Sequence, residues 1–229
     1  MLFSATVLSV TACAAQEPTT TNAAVCQLPV WHCETESCSS DNLLNLSIPI
    51  RTEYRRDYDR QSFANNQRGG WSDDDSDCQN TRAEVLIETS LIPVVYGGSS
   101  CWVTAGLWYD KFSDKLFEDP GEIDIDHVVA LKEAHESGAF RWDTSRRSEF
   151  ANDYKLAKNL VPMWNSTNRS KGSLEPYQWL PPNEEAWCGF ANRWTFVKWF
   201  WELSVDEVEC QFLTDLLGNC VGDMVSDSK

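Results

Sequence analysis

Asp124-Ile125-Asp126-His127-Val128-Val129 is the stretch on which the reading of this chain turns. Its β-branched residues, alternating with carboxylates, predict a strand over Ile123 to Val129. Neighbouring residues of a strand point to opposite faces, so Asp126 and His127 can serve one site only at a bend or a strand end. Leu131, Ala134 and His135 follow at helical spacing and stop at Gly138, which predicts a short helix over Leu131 to Ser137.

Downstream lie Lys158-Asn159-Leu160-Val161-Pro162-Met163 and Thr167-Asn168-Arg169-Ser170-Lys171-Gly172. With His127 they supply an H…N…N series in which eight residues separate the two asparagines. These residue types suit hydrolysis. A neutral histidine near its ordinary pKa takes a proton from water at neutral pH, where a carboxylate is a weaker base and a lysine is mostly charged. A hard divalent cation held by one carboxylate and one amide oxygen keeps open positions for an anionic ester. Taken singly, an Asp-His pair or two spaced asparagines are most often structural.

Together, Asp-His, Asn-Leu-Val-Pro and Asn-Arg-Ser-Lys-Gly resemble the HNH, or ββα-metal, nuclease motif in the variant whose third member is Asn. The linking sequence is similar to a family of exported HNH endonucleases whose domain recurs in modification-dependent restriction enzymes. The likeness runs through Trp71, Cys78, Thr81-Arg82, Cys101, Ile125 to Leu131, Trp142, Arg147, Ala151-Asn152-Asp153 and Trp179-Leu180-Pro181-Pro182. It covers roughly residues 52 to 220, and 124 to 182 carry most of its weight.

The resemblance implies His127 as general base, Asp126 and Asn168 as ligands of one divalent metal, and Asn159 as the brace of the histidine-bearing strand. It implies Mg2+ or Mn2+, because zinc-type HNH sites add histidines near the motif's end and this chain has only His32, His127 and His135. Lys171 and Arg169 stand beside the second ligand, where a cation would hold a phosphate oxygen or stabilise the pentacovalent state. Arg146, Arg147 and Arg169 are the candidate nucleic-acid contacts, and His135 reads as a surface or supporting residue. The implied reaction is hydrolysis of a phosphodiester in DNA, or also in RNA, leaving a 5′-phosphate and a 3′-hydroxyl. The rival expectation is a secreted, disulfide-rich binding protein on an inactive nuclease scaffold.

A net charge of −16 over 229 residues weighs against tight non-specific binding of nucleic acid. Between residues 141 and 171, however, seven Lys or Arg face three Asp or Glu, so a locally basic face survives on an acidic body. Nucleic acid, met transiently, is the implied partner, and no protein partner is implied.

The first thirteen residues are apolar, uncharged and too short to span a bilayer, and they read as the remnant of a signal peptide. Val10-Thr11-Ala12-Cys13 resembles the lipobox of bacterial lipoproteins, in which an acylated Cys13 tethers the chain to a membrane; ordinary secretory cleavage nearby is the alternative. The remaining eight cysteines predict up to four disulfides in an exported chain, with Cys78–Cys101 and Cys188 to Cys210 or Cys220 as local closures. A zinc site at Cys26, His32, Cys33 and Cys38 is the rival, with a spacing that fits no familiar zinc pattern.

The expected organisation is a leader and tether over 1–25, a cysteine-containing N-terminal extension over 26–60, and an endonuclease domain over 61–222 with its metal finger at about 120–175. Short strands are expected at Val94 to Tyr96, Cys101 to Thr104 and Gly106 to Tyr109, and helices at Thr81 to Ile87, Arg146 to Asp153, Asn192 to Leu203 and Val205 to Leu217. Asp73, Asp75, Asp77 and Glu84 fall at positions 1, 3, 5 and 12 of an EF-hand-like loop, with Cys78 where that loop wants glycine. A structural Ca2+ therefore competes with a plain solvated acidic turn. The tryptophans at 164, 179, 187, 194, 199 and 201 read as core packing rather than base-stacking platforms. The fold class expected is α+β: a ββα-metal finger elaborated by N-terminal strands and helices and by C-terminal helices, and stapled by disulfides.

Overall fold

A computed structural model of the chain describes residues 24–31, 43–64, 70–98 and 100–226. The leader, Cys13 and the Cys33–Cys38 segment lie outside the described residues. The architecture is α+β, with four separate two-stranded antiparallel sheets among the described residues.

The chain enters through β1 (Val25–Trp31), which pairs with β2 (Leu43–Pro49) so that Cys26 faces Ile48 and Leu28 faces Leu46. Cys26, Leu28 and Val30 alternate inward on β1, as strand periodicity requires. The hairpin is not set apart. Its inner face joins the main core, Cys26 is disulfide-bonded to Cys210, and Arg51 N–H donates to the Val205 carbonyl at 2.6 Å. That disulfide also removes Cys26 from any zinc site.

Next come α1 (Thr81–Thr89), the β3 (Val95–Gly97) and β4 (Trp102–Ala105) hairpin, and the β5 (Trp108–Asp110) and β6 (Lys115–Phe117) hairpin. Asn80 caps α1 by accepting from Ala83 N–H at 3.1 Å. Cys78–Cys101 ties the start of α1 to the β4 edge. Then β7 (Ile123–His127), α2 (Leu131–Glu136), α3 (Thr144–Ala151), β8 (Leu160–Trp164) and α4 (Asn165–Lys171) follow. The chain closes with α5 (Trp187–Phe200) and α6 (Glu207–Ser226), joined by Cys188–Cys220. Among the described residues no helix is long and apolar enough to cross a membrane.

β7 lies between two cores. Ile123 and Ile125 point into a smaller cluster with Val85, Leu86, Trp108 and Leu160, while Val128 and Val129, just beyond the strand, enter the main core with Phe150, Met163 and Trp194. β7 and β8 pair antiparallel with His127 opposite Leu160 and Asp126 opposite Val161, and α4 packs against both strands. Helix α4 has no side-chain cap and ends at Gly172, whose φ of 54° is a positive value that glycine adopts without a side-chain clash.

Candidate functional site

The two carboxylates of β7 share a face because they are two residues apart, and that face meets α4. Asn168 and Lys171, three apart on α4, stand one above the other on the helix side that meets it. Asn168 Nδ2 donates to Asp124 Oδ2 at 3.0 Å. With its amide nitrogen so engaged, Asn168 has its carbonyl oxygen as the end left for another partner.

Lys171, fully buried, places Nζ 2.9 Å from Asp126 Oδ2, 3.2 Å from Oδ1 and 2.8 Å from the His127 carbonyl. The approach to Oδ2 is ionic but poorly angled, so Oδ2 is a buried carboxylate oxygen without a hydrogen-bond partner. Burial raises the Asp126 pKa, and the Lys171 ammonium opposes that rise.

His127 ends β7 and turns to the other side, where its ring stacks on Trp71 with centroids 5.7 Å apart and planes at 6°. Nε2 lies 2.9 Å from the Ala151 carbonyl oxygen. A carbonyl only accepts, so this contact assigns the proton to Nε2 and leaves the lone pair on Nδ1. Burial pushes the His127 pKa down to about 3, with the Arg60 and Lys171 charges adding to the effect and the Ala151 carbonyl opposing it. The expectation of an ordinary imidazole pKa is therefore corrected: an imidazolium packed against an indole and away from water is costly to form.

The setting of that imidazole is built from long-range contacts. Asn152 Oδ1 accepts from Ser72 N–H at 2.9 Å and from the Thr81 hydroxyl at 2.8 Å, which registers the neighbouring Trp71 against the end of α3. Asp153 accepts from Leu156 N–H, Ala157 N–H and Trp201 Nε1 at 2.9, 3.0 and 2.8 Å, anchoring the turn beyond Ala151. Asn159, wholly buried, brackets the chain just past His127: its Oδ1 accepts from Val129 N–H at 2.9 Å and its backbone carbonyl accepts from Val128 N–H at 2.7 Å.

Other expected residues are placed less favourably. Arg147 donates to the carbonyls of Ala139 and Phe140 at 3.1 and 3.0 Å, and Arg146 pairs with Glu202 at 2.6 Å. Five residues from Ala151, Arg146 lies about 7.5 Å away along α3. Arg169 is exposed beside Asn168, whereas Lys171 is wholly inside. His135 is not a surface residue: it is buried, with Nε2 3.1 Å from Asp57 Oδ1.

Three contributors had no site role assigned from the sequence, although Trp71 carries part of the family resemblance. Asp124 was visible as the other carboxylate of an i, i+2 pair, but Trp71 and Arg60 reach His127 from segments more than fifty residues upstream and carried no local signal. In the acidic turn, carboxylate oxygens of Asp73, Asp75 and Asp77 lie within 4.8 Å of one another, and Cys78 has a φ of 78°. Glu84 is hydrogen-bonded to the Tyr154 hydroxyl at 2.8 Å.

Oxygen donors of the kind a small divalent cation takes are carried on both sides of the β7–α4 contact. Asp126 offers Oδ2, which takes no hydrogen bond, and Asn168 its amide oxygen, with Asp124 bonded to the Asn168 amide nitrogen. The Lys171 ammonium competes for the same Asp126 oxygen.

A protein of Arthroderma benhamiae named "Uncharacterized secreted protein" is 34% identical over 185 residues, covering 80% of this chain and 86% of that protein. No family model matches the chain, and no solved structure matches it. The disulfides and the secreted relative agree on compartment: this is an exported protein. At that identity and coverage, the chain belongs to the family of the Arthroderma benhamiae secreted protein.

Proposed function

We propose that this exported protein is an endonuclease that hydrolyses phosphodiesters of DNA, or of RNA as well, with His127 as general base and one Mg2+ or Mn2+. The observation that carries the reading is one compact unit, β7, β8 and α4, in which a neutral imidazole stands at the strand end, where the alternation of faces stops, one residue after a buried carboxylate. It combines with the H…N…N series at 127, 159 and 168.

In this reading His127 Nδ1 accepts a proton from the attacking water while Nε2–H stays on the Ala151 carbonyl. A base of depressed pKa is a reluctant acceptor, so an anionic phosphate beside it must stabilise the imidazolium that forms. Asn159 keeps the strand end from swinging, and Asp124 orients the Asn168 amide so that its oxygen is presented. Asp126 and Asn168 would hold the cation, which when bound neutralises charge on the phosphate and on the departing 3′ oxygen. Arg169 supplies an exposed cation next to that ligand.

The second reading, a binding protein on an inactive scaffold, draws on the Lys171–Asp126 pair, which neutralises the carboxylate without any metal. Plasmid and RNA cleavage assayed with Mg2+, Mn2+, Ca2+ or EDTA separates the two readings, with His127→Ala as control. Metal-dependent nicking that disappears in His127→Ala supports the nuclease. No nicking by oxidised wild type, or equal nicking by the variant, removes it.

A further inference from the structure

Two clefts flank the start of α1. One, of about 640 Å3, is lined by Asp74, Asp75, Glu84, Glu149 and Asp153 against the single cation Lys155, an excess of carboxylates that disfavours a polyanion. The other, of about 830 Å3, is walled by Trp71, Trp102, the Cys78–Cys101 disulfide, Asn80 and Arg82, with Asp73 its one carboxylate against the Arg82 guanidinium. This volume is within the range of small-ligand sites and holds a nucleotide with room to spare.

The second cleft adjoins the candidate site through two of its wall residues. Trp71, which lines it, is the ring stacked on His127. Arg82 donates to the carbonyls of Pro120 and Ile123 at 2.9 and 2.8 Å, at the foot of β7, and its charge interacts with Asp124. Trp102 is 55% exposed, an unusual state for an indole. It is also held in place: a Cβ on Gly97 would overlap its ring, so the flat glycine backbone serves as its seat. An exposed, seated indole in one cleft with a second indole and a guanidinium is the chemistry that takes a planar aromatic ring.

We propose that this cleft binds an unpaired nucleobase of the substrate strand, stacked on Trp102 and Trp71, and thereby draws the adjoining phosphodiester to His127. The inference rests on the nuclease reading and gives it a substrate class: single-stranded or locally unpaired nucleic acid. Stacking supplies affinity that a chain of net charge −16 cannot draw from the phosphate backbone alone. A short, fully paired duplex offers nothing to the cleft, whereas a supercoiled plasmid opens unpaired patches that do.

The test is fluorescence anisotropy in EDTA, so that no strand is cut, with a labelled single-stranded decanucleotide, the same strand carrying abasic sites, and a duplex. Wild type is expected to bind the intact strand about tenfold more tightly than the abasic strand or the duplex, the scale of stacking one base. Trp102→Ala, at an exposed position, is expected to erase that difference, and Trp102→Phe to keep most of it. Equal binding of intact and abasic strands, or a difference untouched by Trp102→Ala, overturns the proposal. Base-dependent binding without metal-dependent cleavage keeps the cleft and removes the nuclease; cleavage without base dependence does the reverse.

Discussion

Two regions of this molecule bury charge, and they do so differently. At the β7–α4 contact one carboxylate, Asp126, meets one ammonium, Lys171, while Asp124 and Asn168 beside them stay half-exposed. At the junction of α2, α5 and α6, Glu133, Glu175 and Glu209 bring carboxylate oxygens within 4.8 Å of one another. Lys198 lies 2.7 Å from Glu133 and 2.8 Å from Glu209, and Arg51 lies 3.0 Å from Glu133. Burial and the neighbouring carboxylates lift Glu175 to about 8, so at neutral pH it is largely protonated and the cluster is close to neutral. The larger cluster joins five chain segments and its two cations already stand where a metal would. Buried charge marks a candidate site only where part of it remains reachable.

The strongest way to separate the two regions is His127→Ala, expected to lower metal-dependent cleavage by about 10²–10⁴-fold in a plasmid-nicking assay. Lys198→Met is expected to spare the chemistry of the folded fraction while lowering unfolding free energy by about 3–5 kcal/mol in urea denaturation, because Glu133 and Glu209 lose the charge between them. Should Lys198→Met prove neutral, the cluster is not a structural joint.

Stability against pH carries opposite signs from the two regions. His127, held near 3 against an ordinary value of about 6.5, contributes stability that is full above about pH 6.5 and is lost as pH falls toward 3, by up to roughly 4 kcal/mol. Glu175, held near 8, contributes stability that is full below about pH 4.5 and is lost as pH rises through 8. Denaturation midpoints across that range should therefore form a dome, and Glu175→Gln should flatten only its alkaline side. The smallest expected effect is Asp124→Asn: it keeps the contact to Asn168 but raises the Mg2+ or Mn2+ concentration for half-maximal cleavage about tenfold. An unchanged metal requirement would confine Asp124 to packing.

Much of this contrast was legible and some was not. The alternation at 123–129 and the helical spacing after it located β7 and α2 to within two residues. Asn165–Lys171 escaped notice as a helix because Asn, Ser and Thr are indifferent helix formers, and α4 exists by packing on β7 and β8. Arg146 and Arg147 looked like free cations from their spacing, but no spacing reveals the Glu202 carboxylate and the Ala139 and Phe140 carbonyls that engage them.

The sequence by itself determined the export signature, the strand that ends in His127, and the residue types gathered around it. Only the tertiary structure decided that His127 meets Trp71 and Ala151 at the end of β7, that Nδ1 bears the lone pair, and that Lys171 lies inside on Asp126. Strand and helix periods are local properties of adjacent residues. A protonation state or an ion pair depends on which distant segments exclude water from a group, and Ala151, Trp71 and Lys171 reach β7 from 24, 56 and 45 residues away along the chain.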